Sequence, residues 1–301
     1  MKPDHRERGR TAPIALVFVL CAVAAVAASL LSPADCSARR FLEVVEFGPL
    51  PDTLSVTRPF LSIRYGEAAV DRKDLAYDLA ANGTAEVQAG YVKLTPVEPD
   101  TMLIRWNFDG VRVGLGSSDA ALESPESGEA ESKMWRFGFV DRVALAYTLG
   151  TGRSALVPYS GTGIGWTRFE LDPPREDDVR LRAFDGSYRF GSSWEGGVTA
   201  FPSDKVAIEV SYQRSIVFPR HLFWKWLGSA GIERAAQAGV DEFVDAVANG
   251  SPGAAPIVGF FLKNAIGYGL YELRKSDMNW PFDTAPPLTY DAIQAGFSFS
   301  F

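Results

Sequence analysis

Apolar and polar residues alternate one by one along most of the chain, the period of a strand whose successive side chains face opposite sides. Leu61, Ile63 and Tyr65 oppose Ser62 and Arg64, and Val87, Ala89 and Tyr91 oppose Glu86, Gln88 and Gly90. Met102, Ile104, Trp106 and Phe108 oppose Leu103, Arg105 and Asn107. The parity then changes at Asp109-Gly110, because Val111, Val113 and Leu115 continue the apolar row. A β-bulge would produce that shift, and a tight Asp-Gly hairpin is the rival. Trp135, Phe137, Phe139, Val143, Leu145, Tyr147 and Leu149 form the clearest row, broken only by Asp141, with Arg136, Gly138, Arg142 and Ala144 opposite. Residues 156–171 follow, their face blurred by glycines and Pro158. Next, Phe184, Tyr188, Phe190, Trp194, Val198 and Ala200 oppose Asp185, Ser187, Arg189, Glu195 and Gly197. Val206, Ile208, Val210 and Tyr212 oppose Glu209, Ser211 and Gln213. The chain ends on Ile293, Ala295, Phe297, Phe299 and Phe301 against Gln294, Gly296, Ser298 and Ser300.

This pattern predicts eight strands if Asp109-Gly110 is a bulge, with ten as the alternative count. The links between them alternate in length. Short ones fall at "VEPD", "GTGRS" and "FPSD"; longer polar ones fall at 69–83, 117–132, 171–178 and 218–288. Tight turns at one end and long loops at the other are the habit of membrane barrels. The longest link carries helical spacing of its own: Leu222, Trp226, Ile232, Ala236, Val240, Phe243 and Val247 recur at helix period and Gly250 supplies a stop. A second, more apolar stretch runs through "PIVGFFLKNAIGYGLYELRK". The expectation is a helical insertion at the outer rim, with "FWKW" at an interface.

The polar rows decide which face is which. Arg105, Arg136, Arg142, Arg189, Glu195 and Glu209 are too many charges for a dry core unless they pair with one another. A soluble barrel would turn its apolar rows inward. A membrane barrel turns the charges inward and sets Trp106, Trp135, Tyr147, Trp194 and Tyr212 toward lipid or its interfaces. The fold expected is therefore all-β, an antiparallel transmembrane barrel of about eight strands with a helical insertion before the last. Eight strands enclose just enough room for side chains, so a filled polar lumen is expected rather than a wide pore.

Composition narrows the role. With 47% hydrophobic and 22% charged residues the chain is a folded one, and a net charge of -7 at pI ≈ 5.1 excludes the basic footprint of a nucleic-acid binder. Residues 1–38 resemble a bacterial secretory signal: Lys2, Arg6, Arg8 and Arg10, then an apolar run from Ala12 to Leu31, then small residues at Cys36 and Ala38. An uncleaved anchor and lipidation at Cys36 stay open. Both cysteines lie here, so cleavage after Ala38 leaves none. The remaining divisions are a segment 39–56 and a barrel 57–301 that includes the insertion 218–288.

The ending "QAGFSFSF" fits the pattern polar-x-Gly-x-x-apolar-x-apolar through Gln294, Gly296, Phe299 and Phe301. In this the chain resembles small Gram-negative outer-membrane barrels of the OmpA/OmpX type. The resemblance implies export through the Sec pathway, residence in outer-membrane lipid, and recognition of the last strand by the barrel-assembly machinery. It implies an envelope structural or surface-interaction role rather than an enzyme. Two alternatives remain: a narrow channel, and a lipid-acting enzyme using His221, the one histidine outside the export segment, with Ser215 and Glu233 near it in sequence. The local signatures such enzymes carry are missing. One histidine without cysteine makes a poor transition-metal set, and "SGTGIGW" lacks the Lys-Ser/Thr and helix of a phosphate loop. No metal and no cofactor is expected.

Overall fold

The computed structural model describes residues 55–73, 75, 77–97, 102–149, 154–172 and 179–301. The predicted export segment 1–38, and 39–56 up to Leu54, lie outside them. Eight strands follow one another: β1 (Val56–Asp71), β2 (Asn82–Pro96), β3 (Leu103–Ser117), β4 (Glu131–Leu149), β5 (Ser154–Asp172), β6 (Tyr188–Phe201), β7 (Val206–Val217) and β8 (Leu288–Ser300). Each pairs antiparallel with its neighbours in sequence, and β8 closes on β1, so the sheet is a closed barrel without an edge. The strands run from 12 to 19 residues, and a tilted strand needs about 9–11 to cross a bilayer. Long connections lie at one mouth, the loop end; short ones lie at the other, the turn end.

The parity shift at Asp109-Gly110 is neither a bulge nor a hairpin. β3 pairs with β2 one residue for one from Gly83↔Ser117 to Pro96↔Ile104, passing Gly90↔Gly110 without an extra residue. What changes there is the chemistry of the two faces, not the register. Near the turn end the barrel interior is itself apolar: Trp106 and Phe108 point inward onto Phe60, at ring separations of 5.8 and 5.1 Å. They belong to a buried cluster with Leu94, Val157 and Phe201. Trp106, expected to face lipid, is 2% exposed inside the barrel. Arg105, expected inside, is on the outer wall. Phe184, expected on a strand's outer row, precedes β6 and packs into a second apolar cluster with Met134, Phe169 and Leu181 at the loop end.

The insertion forms two helices, α1 (Phe223–Gly250) and α2 (Ala255–Arg274). They pack through Val240, Val244 and Ala248 of α1 against Ala255 and Ile266 of α2, with Leu145 of β4 beneath. This hairpin lies along the outside of the barrel wall rather than at the rim. Its root meets the loop end, where the Trp226 ring stands 5.3 Å from Phe190 of β6. Its tip reaches the turn end, where the Tyr147 hydroxyl of β4 donates to the Gly253 carbonyl at 2.6 Å. Small residues allow the close seat: a Cβ added at Gly267 would stand 2.2 Å from the Trp194 indole nitrogen.

Trp106→Ala is expected to cost about 3–5 kcal/mol through the cavity it leaves. Trp135→Ala, on the exposed outer face, should cost far less. Urea unfolding in detergent micelles followed by tryptophan fluorescence checks the difference.

Candidate functional site

Between the two apolar clusters lies a layer of charge. Arg64 of β1 is 1% exposed and its Nη1 donates to Glu195 Oε1 at 2.7 Å, Glu209 Oε1 at 3.1 Å and Ser211 Oγ at 2.9 Å. Its Nη2 pairs with Glu86. Arg142 of β4 reaches Glu195 at 2.8 Å and Glu209 at 3.0 Å, its guanidinium 4.6 Å from the centre of the Tyr159 ring. The Tyr159 hydroxyl lies 2.8 and 2.9 Å from the same two carboxylates and donates its one proton between them. Ser298 of β8 donates to Glu209 at 2.7 Å, and Arg136 joins Glu86 to Gln213. Arg112 of β3 donates to Ser193 of β6. Every strand thus contributes a member.

Four arginines, Arg64, Arg112, Arg136 and Arg142, meet three glutamates in this layer, so most of the charge is matched locally, the condition under which ions tolerate a dry interior. Of the residues expected in the lumen, Arg136, Arg142, Glu195 and Glu209 are brought together. Arg189 is half-buried near the loop end of β6, in the wall of an aromatic hollow and outside this network. Arg64, Glu86 and Arg112 were missed, although each shares its strand's polar face: Arg64 with Ser62, and Glu86 with Gln88.

The outer wall has two chemistries. Away from the hairpin it is a belt of exposed apolar side chains, among them Ile63, Tyr91, Val111, Phe137, Val210 and Phe297. Under the hairpin it is polar: Arg105 and Asp109 of β3, Asp141 of β4, Ser160 and Thr162 of β5. Asp109 and Asp141 stand directly opposite one another across β3 and β4. The helices answer these groups with charge. Asp245 of α1 pairs with Arg105 at 2.5 Å, and Lys263 of α2 pairs with Asp241 of α1. Asn264 of α2 donates to the Tyr159 carbonyl at 3.3 Å. Arg214 of β7 bridges Glu272 of α2 at 2.5 Å and Asp291 of β8 at 2.9 Å. A cavity of about 400 Å³ remains between α1 and the wall, with Asp109, Asp141, Thr162, Arg234 and Gln237 on its sides.

His221 sits at the hairpin root on an aromatic shelf, its ring 4.7 Å from Phe190 and near Phe223 and Trp226. Ser215 does not join it, because it lies on the inner face of β7 and accepts from Arg136 at 3.5 Å. Glu233 is held by Arg274 at 2.7 Å. The three are not brought together as nucleophile, base and orienter.

The four residues of the C-terminal pattern divide by face. Gln294 and Gly296 point inward, and a Cβ at Gly296 would stand 2.0 Å from the Ile63 carbonyl, so the β8–β1 seam closes only over a glycine. Phe299 is on the outer wall, and the Phe301 amide donates to the Pro59 carbonyl at 3.0 Å, locking the chain end to β1.

Solved structures to which this chain is similar include the following two. Neisserial surface protein A (NspA) aligns at 11% identity over 82% of this chain and 99% of its own, with a TM-score of 0.37. Ail, the attachment invasion locus protein of Yersinia pestis, solved in complex with the heparin analogue sucrose octasulfate, aligns at 8% identity over 81% and 97%, with a TM-score of 0.31. No protein-family model matches the chain, and no curated protein matches it.

Arg64→Ala leaves three carboxylates short of a partner inside the barrel and should cost about 3–5 kcal/mol. Arg105→Ala breaks a pair whose side chains are 44% and 49% exposed and should cost at most about 1 kcal/mol. Unfolding midpoints of the two variants in the same detergent test the contrast.

Proposed function

We propose that the chain is an outer-membrane β-barrel of a Gram-negative envelope, exported through its N-terminal segment, with a structural or surface-interaction role rather than a catalytic one. The observation that carries this reading is the inverted polarity of the barrel: a paired-charge layer fully enclosed and an apolar belt exposed. In water that belt would cost roughly 25 cal/mol for each Å² left uncovered. In a bilayer it is the required surface, and the closed ladder leaves no strand edge unpaired.

The lumen supports anchoring rather than conduction. Apolar clusters stand above and below the charge layer, and the cavity inside the turn-end cluster measures about 10 Å³, room for about one water. Interaction then falls to the loop end. His221, among Phe190, Phe223 and Trp226, has the company of an aromatic girdle at a membrane interface. The partners are outer-membrane lipid around the belt and the barrel-assembly machinery at the β8 end, through Gln294, Gly296, Phe299 and Phe301.

Membrane fractions run with and without boiling test the reading: the unboiled protein is expected to migrate as a folded band in the outer-membrane fraction. A protein that stays soluble in the periplasm without that shift contradicts it. Deleting Phe301 should lower the folded band while leaving synthesis unchanged. Planar bilayers containing the folded protein should show no conductance steps above the lipid background, and His221→Ala should leave the lipid profile of the cells unchanged.

A further inference from the structure

The hairpin occupies a stretch of wall that, on the reading above, lies within the bilayer. Neither helix is long and apolar enough to cross a membrane alone. The wall and the packing of one helix on the other supply what they lack. Asp245 is paired with Arg105, Asp241 with Lys263, Glu233 with Arg274 and Glu272 with Arg214, while Arg234 borders the cavity against the wall. Charged groups within a membrane are tolerated when they are matched in this way.

What the hairpin leaves outside is apolar. Ile257, Phe261 and Tyr268 of α2 are 53%, 65% and 46% exposed, and Leu262 and Ala265 share that side. Between Pro256 and Tyr271 the single charge is Lys263, which is turned to Asp241. The 20 residues of α2 rise about 30 Å, the thickness of a hydrocarbon core. Phe223 and Trp224 are exposed beside Lys225 at the root, the composition of an interfacial anchor. In the tip-side half of α1 the half-exposed Asp241 and Asp245 are paired with Lys263 and Arg105, and the exposed Glu242 lies two turns before Gly250.

We infer that the α1–α2 hairpin is embedded in the bilayer, flat against β4–β7, with the α2 face of Ile257, Phe261, Ala265 and Tyr268 in contact with lipid acyl chains. The occupant of this face is lipid because the face continues the barrel's own apolar belt and spans the same height. Asp109 and Asp141 then line the cavity beneath the hairpin and the half-exposed Arg105–Asp245 pair lies at its turn-side edge, so the membrane-facing perimeter consists of strands and helices together. This rests on the outer-membrane reading, and the test separates the two.

Nitroxide labels are placed at Phe261→Cys, Ala265→Cys and Phe297→Cys, one per protein, in a Cys21→Ser/Cys36→Ser background, with Asn249→Cys at the hairpin tip as the water-facing reference. The full protein is reconstituted in phosphatidylcholine vesicles, and folding is checked by the boiling-dependent gel shift. Collision rates with oxygen, which concentrates in lipid, and with a water-soluble nickel chelate are compared. Labels at 261 and 265 should match 297, each favouring oxygen severalfold over the reference. Ala265→Cys removes no packing and carries the test should Phe261→Cys misfold. Nickel access at 261 and 265 with oxygen preference at 297 overturns the embedded hairpin alone. Nickel access at all three overturns the membrane reading and this inference with it.

Discussion

The barrel depends on the ion cluster around Arg64. A barrel of eight strands has no room for bulk water, so every charge on its inner face must find a partner or cost several kcal/mol. Arg64 reaches glutamates from β2, β6 and β7 at once, and Arg142 repeats two of those contacts from β4. Residues more than a hundred positions apart are thereby drawn to one point, which sets the register of strands that share no direct ladder. A slip of one residue in any of them would move its charge to the outer face. The apolar clusters above and below keep water from the cluster, and that dryness makes each contact specific.

The same demand for pairing acts outside the barrel, where one sector of wall is polar. Asp109 and Asp141 face each other at mid-height, in a position where lipid would be costly. The hairpin sits over this sector and brings Arg234 and Lys263 to it, with Asp245 against Arg105. Gly267 and Gly196 let α2 approach β6 closely enough to bury Trp194. The long insertion is thus part of the wall's construction as well as a connection between β7 and β8.

Much of this architecture is legible in the sequence. Period-two alternation places strands, and the alternation of short and long links places their ends. Parity also puts Arg136, Arg142, Glu195 and Glu209 inside. Legibility fails where one rule is applied to the whole strand. In β3 the inner face is charged at Arg112 but aromatic at Trp106 and Phe108, so an apolar row followed along its length changes sides at Asp109. The apparent bulge is that change. Arg105 is misread for the same reason, since a charge at the turn end of β3 points to the helix and not to the lumen. The hairpin's position is illegible because its contacts pair residues such as Arg105 and Asp245, far apart in sequence and without a periodic signature. Arg64 and Glu86 were within reach, since each shares a face with other polar residues.

Enclosed charge within an apolar wall is the central claim, and β8 states it in its simplest form, with Ala292, Gln294, Gly296 and Ser298 inside and Ile293, Ala295, Phe297 and Phe299 outside. The most direct test is photolabelling of the vesicle-embedded protein with a lipid-soluble carbene precursor, which inserts into C–H bonds, reading the modification of each of positions 292–299. The account predicts a period of two, with 293, 295, 297 and 299 reactive and the even positions silent. An inverted period, or uniform reactivity along the strand, would contradict it.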